Sequence, residues 1–474
     1  MVRGMAVQPA MAIPGLRLPS KGWLLAPGLL VAVGVGAGVA LAPLPALLVL
    51  SLVLVVACVW RWPALAAYLV IGLTPLTAGI NRGAALPLLR PNEALALLVA
   101  VILATRGIVR LRTGQMPKLR LDRVEVSMVL LAVFSSVVPL WWMAIRREPI
   151  TGDDLEYAVV LWKYLGLYAL IRLSVSNDRQ IGRCLWISVG AACIVSVLAI
   201  LQSLGLFGVS QILNTYYAAY GYTEAWNNRG SSTLGLPAAT ADILIYNLAI
   251  VSGLWMRTRH HRALLVSAAA VLFLGTLSAG EFSSAIGLAV AVVSIALVTN
   301  STWLLRIFIP AGLVASIVLQ PVFAARFSGF QSATGLPVSW SGRLHNLQGY
   351  FWPRLFSDWN FLLGVRASAR VPVASQGTGY VWIESGYTWL LWGGGIPLLA
   401  SFVFFVWVTA KRGWEAAHRE SGAAGVAGIA LFVAIIVTTV LMTFDPHLTY
   451  RGAADVLFAL IALAAPRPAK EVGT

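Results

Sequence analysis

Charge is what this chain lacks most. Charged side chains make up 11% of its 474 residues and hydrophobic ones 59%, whereas a soluble domain carries about a quarter charged residues. That shortage excludes a water-soluble globular class. Mainly apolar runs of roughly 17 to 23 residues recur from Trp23 to Ala465, and about 20 apolar residues suffice to cross a bilayer as a helix. The chain therefore reads as an all-α, polytopic membrane protein.

Cysteine is also sparse. Cys58, Cys184 and Cys193 all fall inside apolar runs, so no disulfide framework and no metal-binding spacing can be built from them. No Walker loop or zincin motif stands in a fitting context, and neither a cofactor nor a metal is expected. Acidic residues number 18 against 34 basic ones, a formal charge of +16. In a soluble protein that excess would point to nucleic acid. In a membrane protein it is mainly a topology signal, and no nucleic-acid partner is implied.

Spans are expected near 23–42, 44–60, 63–80, 91–106, 125–144, 155–173, 184–207, 236–256, 263–279, 284–300, 303–321, 386–409, 423–442 and 452–466, about 12 to 14 in all. The stretch from Trp23 to Ala42 follows Arg3, Arg17 and Lys21, but it is too long for a signal peptide and reads as a retained first span. No repeat or linker divides residues 1–474, which read as a single membrane domain. Placing both termini in the cytoplasm puts 22 basic residues inside and 11 outside, with Lys163 within a span. The positive-inside bias favours that orientation. Lys163 lies about eight residues, roughly 12 Å, below the outer end of the 155–173 run, so it is expected to face a protein partner. The basic loop from Arg106 to Arg123 is expected to contact anionic membrane lipids.

Two long polar stretches remain, and both face outside in this orientation. The longer one, 322–385, is expected to form a partly helical cap. Ser341 is placed to cap a helix whose apolar face comprises Leu344, Leu347, Phe351 and Leu355, and Pro353 should bend or end it near Trp352. Ser357-Asp358-Trp359-Asn360 reads as a turn. All eleven basic residues assigned outside are arginines, whose planar five-donor fork suits phosphate or carboxylate. The second loop, 208–235, holds Tyr216, Tyr217, Tyr220, Tyr222 and Trp226, which fit an interfacial anchoring belt or a sugar-stacking surface.

Ser341-Gly342-Arg343, then Leu363-Gly364, then Glu384 three residues before Tyr387, resembles the loop pattern of the O-antigen ligase and O-antigen polymerase superfamily. Arg229-Gly230-x-x-Thr233-x-Gly235-x-Pro237 is similar to a second motif of that family. The resemblance covers under a fifth of the chain. It implies a metal-independent glycosyltransferase on the outer face of the bacterial cytoplasmic (inner) membrane. A hydroxyl of a glycan or lipid acceptor would attack a polyprenyl-diphosphate-linked glycan donor. By the same resemblance Arg229 and Arg343 bind the diphosphate and Tyr387 lines the substrate site. Glu384 stands where related ligases carry histidine; it would act as the base, or it pairs with a loop arginine. The replacement favours polymerase over ligase. Ser278-Ala279-Gly280-Glu281 lacks an arginine that the family often carries there. Asp445 and His447 are the next candidates for a base. A transporter or flippase of lipid-linked glycans is the rival reading, which the many spans and Lys163 would also suit.

Overall fold

The computed structural model describes residues 43–82, 89–112, 121–217, 229–258, 261–301, 338–373 and 379–466, with isolated positions 306, 317 and 320. Two compact units are distinguished, Met1–Arg61 and Trp62–Thr474. The described part of the first is one apolar helix, α1 (Pro43–Arg61). Its proline stands at the first turn, where a missing N–H costs nothing.

The second unit is a helical bundle. Its elements are α2 (Ala64–Thr77), α3 (Pro91–Arg112), α4 (Arg123–Ile145), α5 (Gly152–Ala158), α6 (Val160–Ser174), α7 (Asp178–Ser203), α8 (Val209–Tyr216), α9 (Pro237–Arg257), α10 (Arg262–Ser278) and α11 (Phe282–Thr299). After these come α12 (Val338–Asn346), α13 (Trp352–Leu355), α14 (Asn360–Leu363), strands β1 (Arg370–Pro372) and β2 (Tyr380–Trp382), α15 (Gly386–Arg419), α16 (Ala423–Leu441) and α17 (Ala453–Leu463). Among the described residues seven helices, α3, α4, α7, α9, α11, α15 and α16, are long and apolar enough to cross a membrane, and four shorter apolar helices accompany them. The expected span at 23–42 lies outside the described residues, as does 303–321 apart from positions 306, 317 and 320.

Helix α9 forms the centre. In its most apolar stretch 83% of residues are buried, against 11% in α3, so α9 is enclosed by helices while α3 presents its Leu and Val side chains outward. Being enclosed, α9 can carry polar groups provided they are bonded. Asn247 meets Ser188 Oγ at 2.8 Å, and Tyr246 Oη meets Thr438 Oγ1 at 2.7 Å. Around α9 pack α7, α10, α11 and α16, and α15 lies against α16 and α4.

Contacts between loops divide into two sets, one at each end of the bundle. At one end Arg412 pairs with Asp122, Arg257 reaches the Ala417 and Glu420 carbonyls, and Asp178 accepts from the N–H groups of Ala423 and Ala424. At the other end Arg146 donates to Asn360 Oδ1 (2.6 Å), Arg366 pairs with Asp154 (2.6 Å), and Arg370 pairs with Asp153. The loops meeting at this second end are those that the charge bias groups together as outside. Arg366 and Arg370 are thus structural clamps that fasten the cap to α5.

Two local expectations, on Ser341 and on the 155–173 run, are corrected. Ser341 does not cap a helix start, because α12 begins three residues earlier at Val338 and Ser341 lies inside it. The regular helix is interrupted near Trp352, as expected from Pro353: the chain widens into a π turn over Leu347–Phe351 and α13 starts with the proline in its first turn. That widening accommodates a residue with no N–H to donate. The 155–173 run is broken at Val159, because Thr151 and Asp154 form a capping box that starts α5 separately. Lys163 therefore stands in the first turn of α6 rather than eight residues down a continuous span. It does have its partner, with Nζ 3.7 Å from Glu93 Oε1 and 4.7 Å from the centre of the Tyr164 ring. The two-stranded ribbon β1–β2 was not anticipated in an all-α chain. The expected turn at 357–360 is present, with Asp358 and Trp359 both at positive φ (48° and 61°).

Candidate functional site

Arg343 is brought to the bundle end by the packing of α12. Leu347, Phe351 and Leu355 repeat at intervals of four and are all buried, while Leu344 stays exposed. Phe351 meets Trp392 edge-on at 5.2 Å, and Trp340 packs on Phe282 and Phe444 at 6.4 and 5.1 Å. Arg343 precedes Leu347 by one turn, so it shares the inward face.

Glu384 arrives from the ribbon. Ser385 caps α15 by accepting from the Thr388 N–H (3.3 Å), and the Gly386 N–H donates to Met442 O at 2.7 Å. A Cβ on Gly386 would lie 2.5 Å from Met442 Sδ, so only glycine permits this crossing. The crossing sets Glu384 beside the 442–452 loop, which carries Asp445.

The three side chains meet. Arg343 Nη2 lies 2.9 Å from Asp445 Oδ2, and its Nε lies 3.7 Å from Glu384 Oε1. Asn346 Nδ2 donates to Glu384 Oε2 at 3.3 Å. Asp445 is buried, whereas the Glu384 side chain is one-third exposed. Burial pushes the Asp445 carboxyl up to about 6, against the pull of Arg343 and His447. Burial also works against the charge on Arg343, but the carboxylates of Asp445 and Glu384 outweigh it and raise its pKa above the ordinary arginine value.

Arg229 joins through Glu281, with 3.1 Å between Nη1 and Oε1. Glu281 is within electrostatic reach of both Arg343 and Asp445. The segment after Arg229 is fixed by its small residues. A Cβ on Gly230 would lie 2.8 Å from the Ala199 Cβ, and Gly235 has φ 69°. Thr233 Oγ1 donates to Pro75 O at 2.7 Å, and Ser232 Oγ donates to Val195 O at 2.7 Å. Asp445, Glu384 and Glu281 thus supply countercharge to the two arginines within the protein itself.

Tyr387 faces the interior of the bundle. Its hydroxyl donates to Thr439 O at 2.8 Å, and its ring meets Phe402 edge-on at 6.1 Å. His345 is exposed on α12. Tyr220, Tyr222, Trp226 and Arg326 lie outside the described residues, as does all of 322–337.

Sequence reasoning singled out neither Asn346 nor the ion-pair role of Glu281, and it held Asp445 and His447 only in reserve. Their signal was a polar cluster, Asp445-Pro446-His447, directly after the apolar run of α16. His447 Nδ1 lies 2.6 Å from Asp242 Oδ2, and both side chains are buried. Among the described residues no group of three His, Cys, Asp or Glu side chains is arranged to hold a metal ion.

Comparison with protein-family models and with curated proteins gives no match. The architecture itself shows a multi-pass helical membrane protein, with a compact cluster of two arginines and three carboxylates gathered at one end of its bundle.

Proposed function

We propose that the protein is a glycosyltransferase of the O-antigen polymerase and ligase type, with polymerase favoured. It would act on the outer face of a bacterial cytoplasmic membrane. The observation that carries this reading is the meeting of Arg343, Glu384 and Asp445, supplied by three separate segments, at the bundle end that the charge bias assigns to the outside. The donor is a polyprenyl-diphosphate-linked glycan, and the acceptor is a hydroxyl of a glycan or lipid.

The chemistry follows from the charges. The acceptor hydroxyl attacks the anomeric carbon, its proton passes to Glu384, and the carbon–oxygen bond to the diphosphate breaks. Glu384 suits the base role because it is the more open of the two carboxylates on Arg343. The leaving diphosphate gains negative charge, which fixed guanidinium donors stabilise. Arg343 has five donors and can keep Asp445 on one edge while turning another to phosphate. A shallow apolar groove lies between α2 and α7, lined by Leu69, Gly72, Leu73, Ile187, Gly190 and Ile194.

The test is a transfer assay with purified protein and polyprenyl-diphosphate glycans, scoring both chain extension and transfer to a second acceptor. Extension that persists in EDTA is expected. Glu384→Gln should lower turnover by about 10²- to 10⁴-fold, the usual worth of a general base, with donor binding retained. Movement of intact lipid-linked glycan across vesicles without transfer would instead establish the flippase reading.

A further inference from the structure

The ribbon of the cap has two unlike faces. Arg370 pairs with Trp382, Val371 with Val381 and Pro372 with Tyr380, and the Ile383 N–H donates to Ala369 O (3.1 Å), which extends the ladder one step. Val371, Val381 and Ile383 are buried against the bundle. Side chains alternate along a strand, so Tyr380, Trp382 and Glu384 share the opposite, half-open face. By the strand rise of about 3.3 Å per residue this row runs about 13 Å. It ends at the carboxylate that touches Arg343.

Arg370 stiffens the row from the neighbouring strand. Its guanidinium carbon lies 5.0 Å from the centre of the Tyr380 ring, 4.9 Å from that of Trp382 and 6.0 Å from that of Tyr157. Asp153 holds the same guanidinium, accepting from Nε at 3.1 Å, and the Tyr380 and Trp382 rings meet edge-to-face at 5.3 Å. These side chains are ordered before any ligand arrives, so a ligand stacking on them pays little for their immobilisation. A membrane-belt aromatic presents its ring to lipid. Here the rings are interleaved with an arginine–aspartate pair. Aromatic faces beside fixed donors and acceptors match a sugar ring, which has an apolar C–H face and a rim of hydroxyls.

We propose that the Tyr380–Trp382–Glu384 face of the ribbon, braced by Arg370, is a carbohydrate track that seats the terminal sugars of the acceptor glycan and delivers its hydroxyl to Glu384. This rests on the transferase reading above. The track explains why the base stands at the end of a strand: the same alternation that aligns the rings aims the carboxylate along them.

The experiment uses the full chain in lipid nanodiscs and, as probe, the free oligosaccharide released by mild acid from lipid-diphosphate glycans of the host membrane. Saturation-transfer NMR reads sugar contact without turnover, and binding of a short-chain polyprenyl diphosphate is measured in parallel. Wild-type protein should transfer saturation to the terminal sugar. Trp382→Ala should cut the signal at least fivefold, while Trp382→Phe and Glu384→Gln keep most of it. Tyr380→Ser, at the outer edge of the ribbon, gives the same reading if Trp382→Ala fails to fold. Equal signals in wild type and the track variants overturn the proposal and mark the rings as a membrane belt. Absence of sugar contact with diphosphate binding intact overturns the track alone; absence of both overturns the transferase reading with it.

Discussion

His447 Nδ1 and Asp242 Oδ2 stand 2.6 Å apart with both side chains about 1% exposed, so the loop that carries Asp445 is locked to the central helix by a buried pair. Asp242 Oδ1 and His447 Nε2 are also buried and make no hydrogen bond within the protein. Removing one partner leaves the other without its match, which costs roughly 3–5 kcal/mol for a buried pair. Asp242→Leu and His447→Leu should each destabilise by about that much, and the double variant by much less than the sum. Denaturant unfolding in detergent, run as a double-mutant cycle, measures this. Additive losses would show that the contact contributes no coupling.

Asp445 sets a pH window. Its carboxyl is lifted by burial to about 6 in the folded protein, against 3.8 for an ordinary aspartate. Between about pH 4 and 6 the unfolded chain ionises this group while the folded one keeps its proton, so stability falls as pH rises through that window. Transfer activity should move the other way. It should drop as pH falls below about 6, because a neutral Asp445 no longer anchors Arg343. Asp445→Asn should remove both dependences, as read from unfolding midpoints and rate profiles between pH 4 and 8. An unchanged acid limb in that variant would show that Asp445 does not set it.

Arg343→Lys and Arg229→Lys separate charge from geometry. Lysine keeps the charge and loses the planar fork that can bind a carboxylate and a phosphate together. One charge-assisted hydrogen bond contributes about 1.5–3 kcal/mol, so donor affinity should weaken roughly 10- to 100-fold in each variant. Equilibrium binding of a polyprenyl diphosphate at matched expression checks this. Wild-type affinity in both variants would dismiss the arginines as diphosphate ligands.

Orientation is checked at Ser357, an exposed position in the cap turn. Ser357→Cys, in a chain whose Cys58, Cys184 and Cys193 are replaced by alanine, should react with an impermeant thiol reagent added to intact cells. Labelling only after the cytoplasmic side is opened would invert the topology and place the arginine cluster inside.

Much of the bundle was legible because long apolar helices leave a strong local pattern. The expected spans within the described residues fall on helices, α15 running on to Arg419, except that 155–173 is divided between α5 and α6. Gly393-Gly394-Gly395 marks a close approach that only glycine allows. A Cβ on Gly394 would lie 2.2 Å from Phe134 O, and Gly395 takes φ 64° where it breaks the helix. The break at Val159 was hidden because apolar sequence continues through it. The ribbon was hidden because three-residue strands are too short to show alternation. Arg343 and Glu384 stood out by resemblance. Asp445, which forms the shortest ion pair of Arg343, lies 102 positions from it in sequence, and nothing local to either residue announces a contact that only tertiary packing creates.

That separation has a consequence for synthesis. Arg343 leaves the ribosome about a hundred residues before Asp445, which at ~5–20 residues per second is roughly 5–20 s. Throughout that interval the cap arginine is without the carboxylate that later holds it, and α15 and α16 must both be made before the two can meet. The cluster is therefore a late event in the biogenesis of the protein. A ribosome stalled anywhere between α15 and Asp445 would display a cap already clamped through Arg366 and Arg370, yet with Arg343 still lacking its closest counter-ion.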